Sequence, residues 1–281
     1  MSISDLSSPE AKQIIVELNE LIQLLKARGQ RISSWYGEFH LSGDPGSVER
    51  INRGYGYRPL ADAIDDHNFP WFLYWEIAWV VMNAEFSEGQ RVLDLGGSSS
   101  LFSFYLASKG LAVTTVDLQG NLVENGNKVA KAMNWNLQNF QMDMRDLNFE
   151  QQFDHITSIC VYEHIPMFAR VEINKHIKRL LTTGGRFSIT FDYRNPSRFA
   201  RINSPENVYE QFIAPSELSI RGNERFHDTG ENYLLHPFYY PNFSVKYKLR
   251  EIKNGHFPLS SLFQTKKEND YTFGSLFLHK A

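Results

Sequence analysis

At 281 residues the chain suits one α/β domain with an added segment, or two small domains. Its 29 Lys and Arg against 32 Asp and Glu leave a net charge of −3. With no basic run present, a nucleic-acid partner is not indicated, because phosphate contacts dominate such binding.

The single cysteine, Cys160, excludes an intrachain disulfide and a cysteine-rich metal site. The start, MSISDLSSPE, has neither a basic nor an apolar signal-peptide region. The most apolar stretch, 69–82, is shorter than a membrane span and contains Glu76. A soluble, cytoplasmic protein without a membrane partner is therefore expected; the oligomeric state is not readable.

Residues 1–86 differ in texture from the rest of the chain. Pro9 to Arg28 reads as an amphipathic helix, with Ile14, Leu18, Leu21, Ile22 and Leu25 on one face and Gly29 as its stop. Residues 33–66 are irregular, punctuated by GDPG and RGYGYRP. PWFLYWE then opens a second helix, apolar on most sides and so expected between other elements.

From Gln90 the rhythm becomes strand, helix, strand, helix. RVLDL, LAVTTVDL, LQNFQMDM, FDHITSICVY and RFSITFDY read as five strands, with helices between most of them. Two more strands are expected at Phe243–Ile252 and Tyr271–Lys280, and helices at Asn207–Phe212 and Pro215–Ile220. The fold class is α/β: a doubly wound, mostly parallel, seven-stranded sheet with helices on both faces. Residues 1–86 form an N-terminal helical lid segment. Residues 87–281 form the α/β domain, with a substrate-side insertion around 195–245.

Right-handed crossovers bring the strand C-termini to one edge, where ligands of open α/β sheets bind. Four segments meet there: DLGGSSS (94–100), Asp117-Leu118, Asp143-Met144, and CVYEH (160–164). Gly96 and Gly97 permit close backbone approach to a ligand at a helix start. Asp117 can accept hydrogen bonds from two ribose hydroxyls. Asp143 can accept from an adenine amine. Asp94 can order the turn and a ligand ammonium.

The ordered set VLDLGGSSS, VDL, MDMRDLNF, SICVYEHIP and LLTTGGRFSITF resembles the successive motifs of class I, Rossmann-like S-adenosylmethionine-dependent methyltransferases over about residues 88–193. That resemblance implies S-adenosylmethionine as cofactor. Gly96, Gly97 and Ser98 would hold its methionine part, Asp117 the ribose, and Asp143 with Met144 the adenine, with Leu118 a further cofactor contact. Asp94 and Cys160 complete the candidate cofactor set. The family's usual G-x-G-x-G departs here to GGSSS.

Two rivals stand beside this reading. A NAD(P)-dependent oxidoreductase needs a third glycine where Leu101 stands. A non-catalytic Rossmann-like binding protein would not need Asp117 and Asp143.

Methyl transfer demands orientation and dryness more than a fixed catalytic group. His164, just past the fourth strand, is the candidate general base for a hydroxyl acceptor; the plain alternative is a structural histidine at a helix start. Some relatives place a metal-binding E-x-x-E-H there, but its first carboxylate is Cys160 here, so no metal is expected. The N/D-P-P-aromatic motif of base-methylating enzymes is absent from that position.

The acceptor side is assigned to Asp192 and Tyr193 ending the fifth strand, His236 in the insertion 221–240, and Tyr55 and Tyr57. Trp71 and Tyr74 suit plain core packing better. A small polar acceptor, a sugar or a biosynthetic intermediate, fits such a wall.

Overall fold

Helix α1, Pro9–Ala27, begins as its sequence demands. Proline occupies the first turn, and the Ser8 hydroxyl accepts the Ala11 N–H at 3.1 Å. Its apolar stripe, Ile14 to Leu25, is buried. Helix α2, Trp71–Ala84, buries residues all round, including Phe72, Trp75, Ile77 and Val80. That is why it lacks an amphipathic stripe. The computed structural model describes residues 1, 3–33, 69, 71–195, 202–222, 225–234, 245–253, 259–263 and 270–281.

Strands β1 (Arg91–Leu95), β2 (Ala112–Asp117), β3 (Leu137–Gln141), β4 (Phe153–Ser158) and β5 (Leu181–Tyr193) alternate with helices α3 (Leu101–Ser108), α4 (Gly120–Met133) and α5 (Met167–Leu180). Three further strands are β6 (Ser219–Ile220), β7 (Tyr233–Leu234) and the longer β8 (Asp270–His279). The sheet runs β3-β2-β1-β4-β5-β8-β6, with β7 paired to β8 off that path. The first five are parallel, and β8 is antiparallel to β5. The seven-strand path agrees with the sequence reading; β7 is a two-residue addition.

Chain order reverses between β1 and β4, and the crevice beyond their C-terminal ends is where a ligand belongs. One core joins α1 and α2 to α3, α4 and the sheet. The other packs α5 and the helical segment 205–216 on the opposite face. Among the described residues, no helix is long and apolar enough to cross a membrane.

Two element assignments need correction. The strand expected at 243–252 is a helix, α6, Val245–Lys253. VKYKL alternates like a strand, but Val245, Leu249 and Ile252 fall at i, i+4, i+7, and the helical period wins. The helix expected through Ile220 stops at Ser216, because Glu217 takes φ +53° and turns the chain into β6.

At the opposite sheet edge His155 is 1% exposed, with Nε2 2.9 Å from Gln90 Oε1 and its ring 4.7 Å from Phe86. Burial lowers its pKa to about 4, so the ring is neutral in the fold. A depressed histidine pKa gives stability present above the unfolded value of about 6.5 and lost as pH falls toward 4. Acidification across that window should cost up to about 3 kcal/mol. Urea midpoints against pH check this, and His155→Leu should flatten the slope; an equal slope in the variant would contradict it.

Candidate cofactor and methyl-transfer site

The site begins with a carboxylate that faces inward. Asp94, in β1, is 2% exposed; its Oδ2 accepts from Ser103 Oγ at 2.5 Å and its Oδ1 from Thr157 Oγ1 at 2.9 Å. A Cβ at Gly97 would overlap the Asp94 carboxylate, so only glycine lets the backbone cross it. Gly96 has φ +79°, and a Cβ there would lie 2.8 Å from the Val161 methyls and 3.2 Å from Met144 Cε. Asp94 therefore ties β1 to α3 and β4 with both carboxylate oxygens.

Burial pushes the Asp94 pKa up to about 6. A carboxylate raised above its unfolded value gives stability that is full below about 3.8 and lost as pH rises through 6. Asp94→Asn should therefore be more stable than the parent at pH 8 by up to about 3 kcal/mol. The difference should vanish below pH 4. Thermal melts at both pH values decide it, and a variant destabilised at pH 8 would refute it.

The serines that replace glycines turn inward too. Ser98 is 1% exposed; its Oγ lies 2.7 Å from Thr115 Oγ1, which donates to Asn139 Oδ1 at 2.7 Å. What Ser98 offers a ligand is thus backbone. Ser99 takes φ +60°, and Ser100 caps α3 by accepting the Ser103 N–H.

Asp117 ends β2 at 8% exposure, with Oδ1 accepting the Gln119 N–H at 2.9 Å. Burial raises its pKa. Leu118 beside it is 65% exposed, an apolar surface available to a ligand. Asp143 follows β3 and is gripped by Arg145, Nη2 to Oδ2 at 2.6 Å, which holds its pKa below the usual carboxylate range. An adenine amine must share that carboxylate with Arg145.

Beyond β4, Ser158 Oγ donates to the Leu95 carbonyl and locks β4 to the end of β1. Cys160 has φ +55°, and its Sγ donates to Glu76 Oε2 at 2.6 Å. Burial, then Glu76, Glu163 and Asp192 in turn, push the thiol pKa well up, so it stays protonated. Its side chain serves packing, and Val161, one residue on, reaches Gly96. Glu163 is 4% exposed, while the His164 side chain is half exposed with Nε2 3.8 Å from Glu163 Oε1.

Asp192 is buried and accepts from Asn195 Nδ2 at 2.6 Å. Tyr193 is also buried; its hydroxyl donates to Asp228, which pairs with Arg194 at 3.2 Å. Tyr74 is core, its hydroxyl donating to Asn19. Tyr55, Tyr57 and His236 lie outside the described residues, as does the side chain of Trp71.

Sequence reasoning missed Glu76, fully buried in an otherwise apolar helix; a lone carboxylate in such a stretch was the available signal. It also missed Thr157, Ser103, Thr115 and Asn139, whose roles appear only once strands pair. Among the described residues no cluster of three His, Cys, Asp or Glu is arranged to hold a metal.

Residues 92–185 match the family described as "Methyltransferase domain". That stretch carries a methyltransferase domain. The chain is 31% identical over 144 residues to a ubiquinone biosynthesis O-methyltransferase of Coxiella burnetii, covering 47% of this chain and 61% of that protein. The Xanthomonas oryzae pv. oryzae protein of the same name is 30% identical over 148 residues, covering 47% and 59%. The chain thus spans about three fifths of the length of these curated relatives.

In fold, it resembles the [4+2]-cyclase SpnF, with TM-score 0.56 and 15% identity over 97% of both chains. It also resembles TehB from Haemophilus influenzae, with TM-score 0.51 and 18% identity over 72% of this chain and 62% of that one. These likenesses concern the fold, which hosts more than one chemistry.

The donor set at this crevice fits S-adenosylmethionine, the cofactor that the sequence resemblance implies. A left-handed glycine turn opens α3, Asp117 ends β2 and Asp143 follows β3. The oxidoreductase alternative is not favoured. At the third-glycine position Leu101 is buried as the first residue of α3, where a nicotinamide fingerprint needs close helix–strand approach.

Proposed function

We propose that this chain transfers the methyl group of S-adenosylmethionine to a hydroxyl oxygen of a small polar molecule, a sugar or a biosynthetic intermediate. The cofactor, when bound, supplies an activated methyl on a sulfonium. The carrying observation is His164, half exposed past β4, with the buried Glu163 carboxylate 3.8 Å away. An imidazole exposed at this edge has the chemistry of a general base for a hydroxyl acceptor. The O-methyltransferase relatives support oxygen as the acceptor atom.

Asp117 holds the ribose, Asp143 with Met144 borders the adenine, and the Gly96–Gly97 backbone faces the methionine part. Asp192 and Tyr193 stand on the acceptor side at the end of β5, and Tyr55, Tyr57 and His236 are assigned to the same wall. The N-terminal segment 1–86 is assigned the role of a lid, a reading supported by the Ser33 N–H donating to the Ser99 carbonyl at 2.8 Å. The single free thiol accords with a reducing, cytoplasmic setting.

The test is transfer of a labelled methyl group to metabolite fractions. Label in a hydroxylated small molecule is expected. Label confined to protein or nucleic acid would refute the proposal.

A further inference from the structure

Ser99 sits in the cofactor loop at φ +60°, a left-handed conformation that side chains other than glycine adopt reluctantly. It is fully buried. Its Oγ donates to the Leu122 carbonyl in the first turn of α4 at 2.6 Å. The same Oγ accepts from Asn125 Nδ2 at 3.0 Å. The Ser99 carbonyl accepts the Ser33 N–H at 2.8 Å.

Asn125 closes the circuit. Its Nδ2 also donates to the Arg31 carbonyl at 2.8 Å, so its two amide hydrogens bridge loop and N-terminal segment. Between those contacts Ile32 is 2% exposed in the core. Residues 31–33 thus form a strap fastened to the loop after β1 and to the start of α4. These are the two elements that flank Asp117, where the ribose belongs.

We propose that Ser99 and Asn125 are positioning residues that couple the strap, residues 31–33, to the cofactor loop, so that ligand binding in the loop tightens the strap. A glycine at position 99 would satisfy the backbone alone. Serine adds a side-chain tie that glycine cannot make. Coupling of this kind is reciprocal: what loosens the strap weakens the ligand, and ligand tightens the strap. The inference rests on the loop being the S-adenosylmethionine site.

The experiment uses the full chain and S-adenosylhomocysteine as probe. Calorimetry gives affinity, and NMR gives the exchange rate of the Ser33 amide hydrogen with and without ligand. Ser99→Gly relieves the left-handed strain but gives up two buried side-chain hydrogen bonds, so its stability in urea should stay near the parent's. Its ligand affinity should nevertheless fall about five- to tenfold. Its Ser33 exchange should quicken about tenfold and respond less to ligand. A purely structural residue would not give equal stability with weaker binding.

Asn125→Ala, at a half-buried position, should reproduce both changes and carries the test if Ser99→Gly does not fold. The coupling is overturned if the parent binds the probe but Ser33 exchange ignores it. It is also overturned if a folded variant binds as the parent does. A parent that binds no probe overturns the cofactor reading itself, and the coupling with it.

Discussion

Replacing His164 with alanine is expected to lower kcat by about 10²–10⁴-fold, the usual contribution of a positioned base. Affinity for S-adenosylhomocysteine should stay nearly intact. The imidazole is half exposed and is not among the groups assigned to the ribose or adenine. If the acceptor is a hydroxyl of high pKa, its proton must leave as oxygen attacks, and the neutral imidazole takes it. The almost fully buried Glu163 carboxyl lies 3.8 Å from its Nε2. The measurement is turnover of the identified acceptor across pH, for parent and variant. Full kcat with the parent's pH profile would leave His164 a structural residue.

Asp117→Ala should weaken S-adenosylhomocysteine binding by about 1.5–3 kcal/mol per charged hydrogen bond lost. In Kd that is roughly tenfold to a hundredfold. The fold should survive, because the residue ends β2 and its carboxylate serves the local turn through Leu118 and Gln119. Only an ionised carboxylate accepts from both ribose hydroxyls, and burial raises the Asp117 pKa. Affinity in the parent should therefore weaken on acidification before an ordinary aspartate would protonate. Titration calorimetry at neutral and acid pH reads both effects. Unchanged affinity in a folded variant would mean that the ribose is held elsewhere.

The sheet was legible because its signals are local. RVLDL followed by two glycines and an apolar helix specifies strand, turn and helix within a dozen or so residues, and β2 to β5 repeat the rhythm. The helix α6 reads as a strand in sequence because five alternating residues outweigh a helical spacing spread over nine. The candidate cofactor residues were legible where they sit at or just past strand ends, as Asp117 and Asp143 do. What the side chains do was not. Ser98 finds Thr115 17 positions on, Thr115 finds Asn139 24 further, and Glu76 meets Cys160 84 positions away. Those partners exist only once parallel strands and α2 come together. Hence the sequence shows Asp94, Ser98 and Cys160 near strand ends, but not the inward aim of their side chains.

Serines in place of two glycines suggest, in sequence, a weakened cofactor loop. In the fold, Ser98, Ser99 and Ser100 each find a partner within 3.0 Å, in β2, in α4 and at the cap of α3. Side-chain bonds supply the order that backbone freedom would otherwise have to allow.

That the crevice beyond β1, β2 and β3 takes S-adenosylmethionine is tested most directly by calorimetry. The full chain is titrated with S-adenosylhomocysteine and, separately, with NAD. Saturable one-site binding of the first and none of the second is expected. Binding of NAD with no heat from S-adenosylhomocysteine would contradict it.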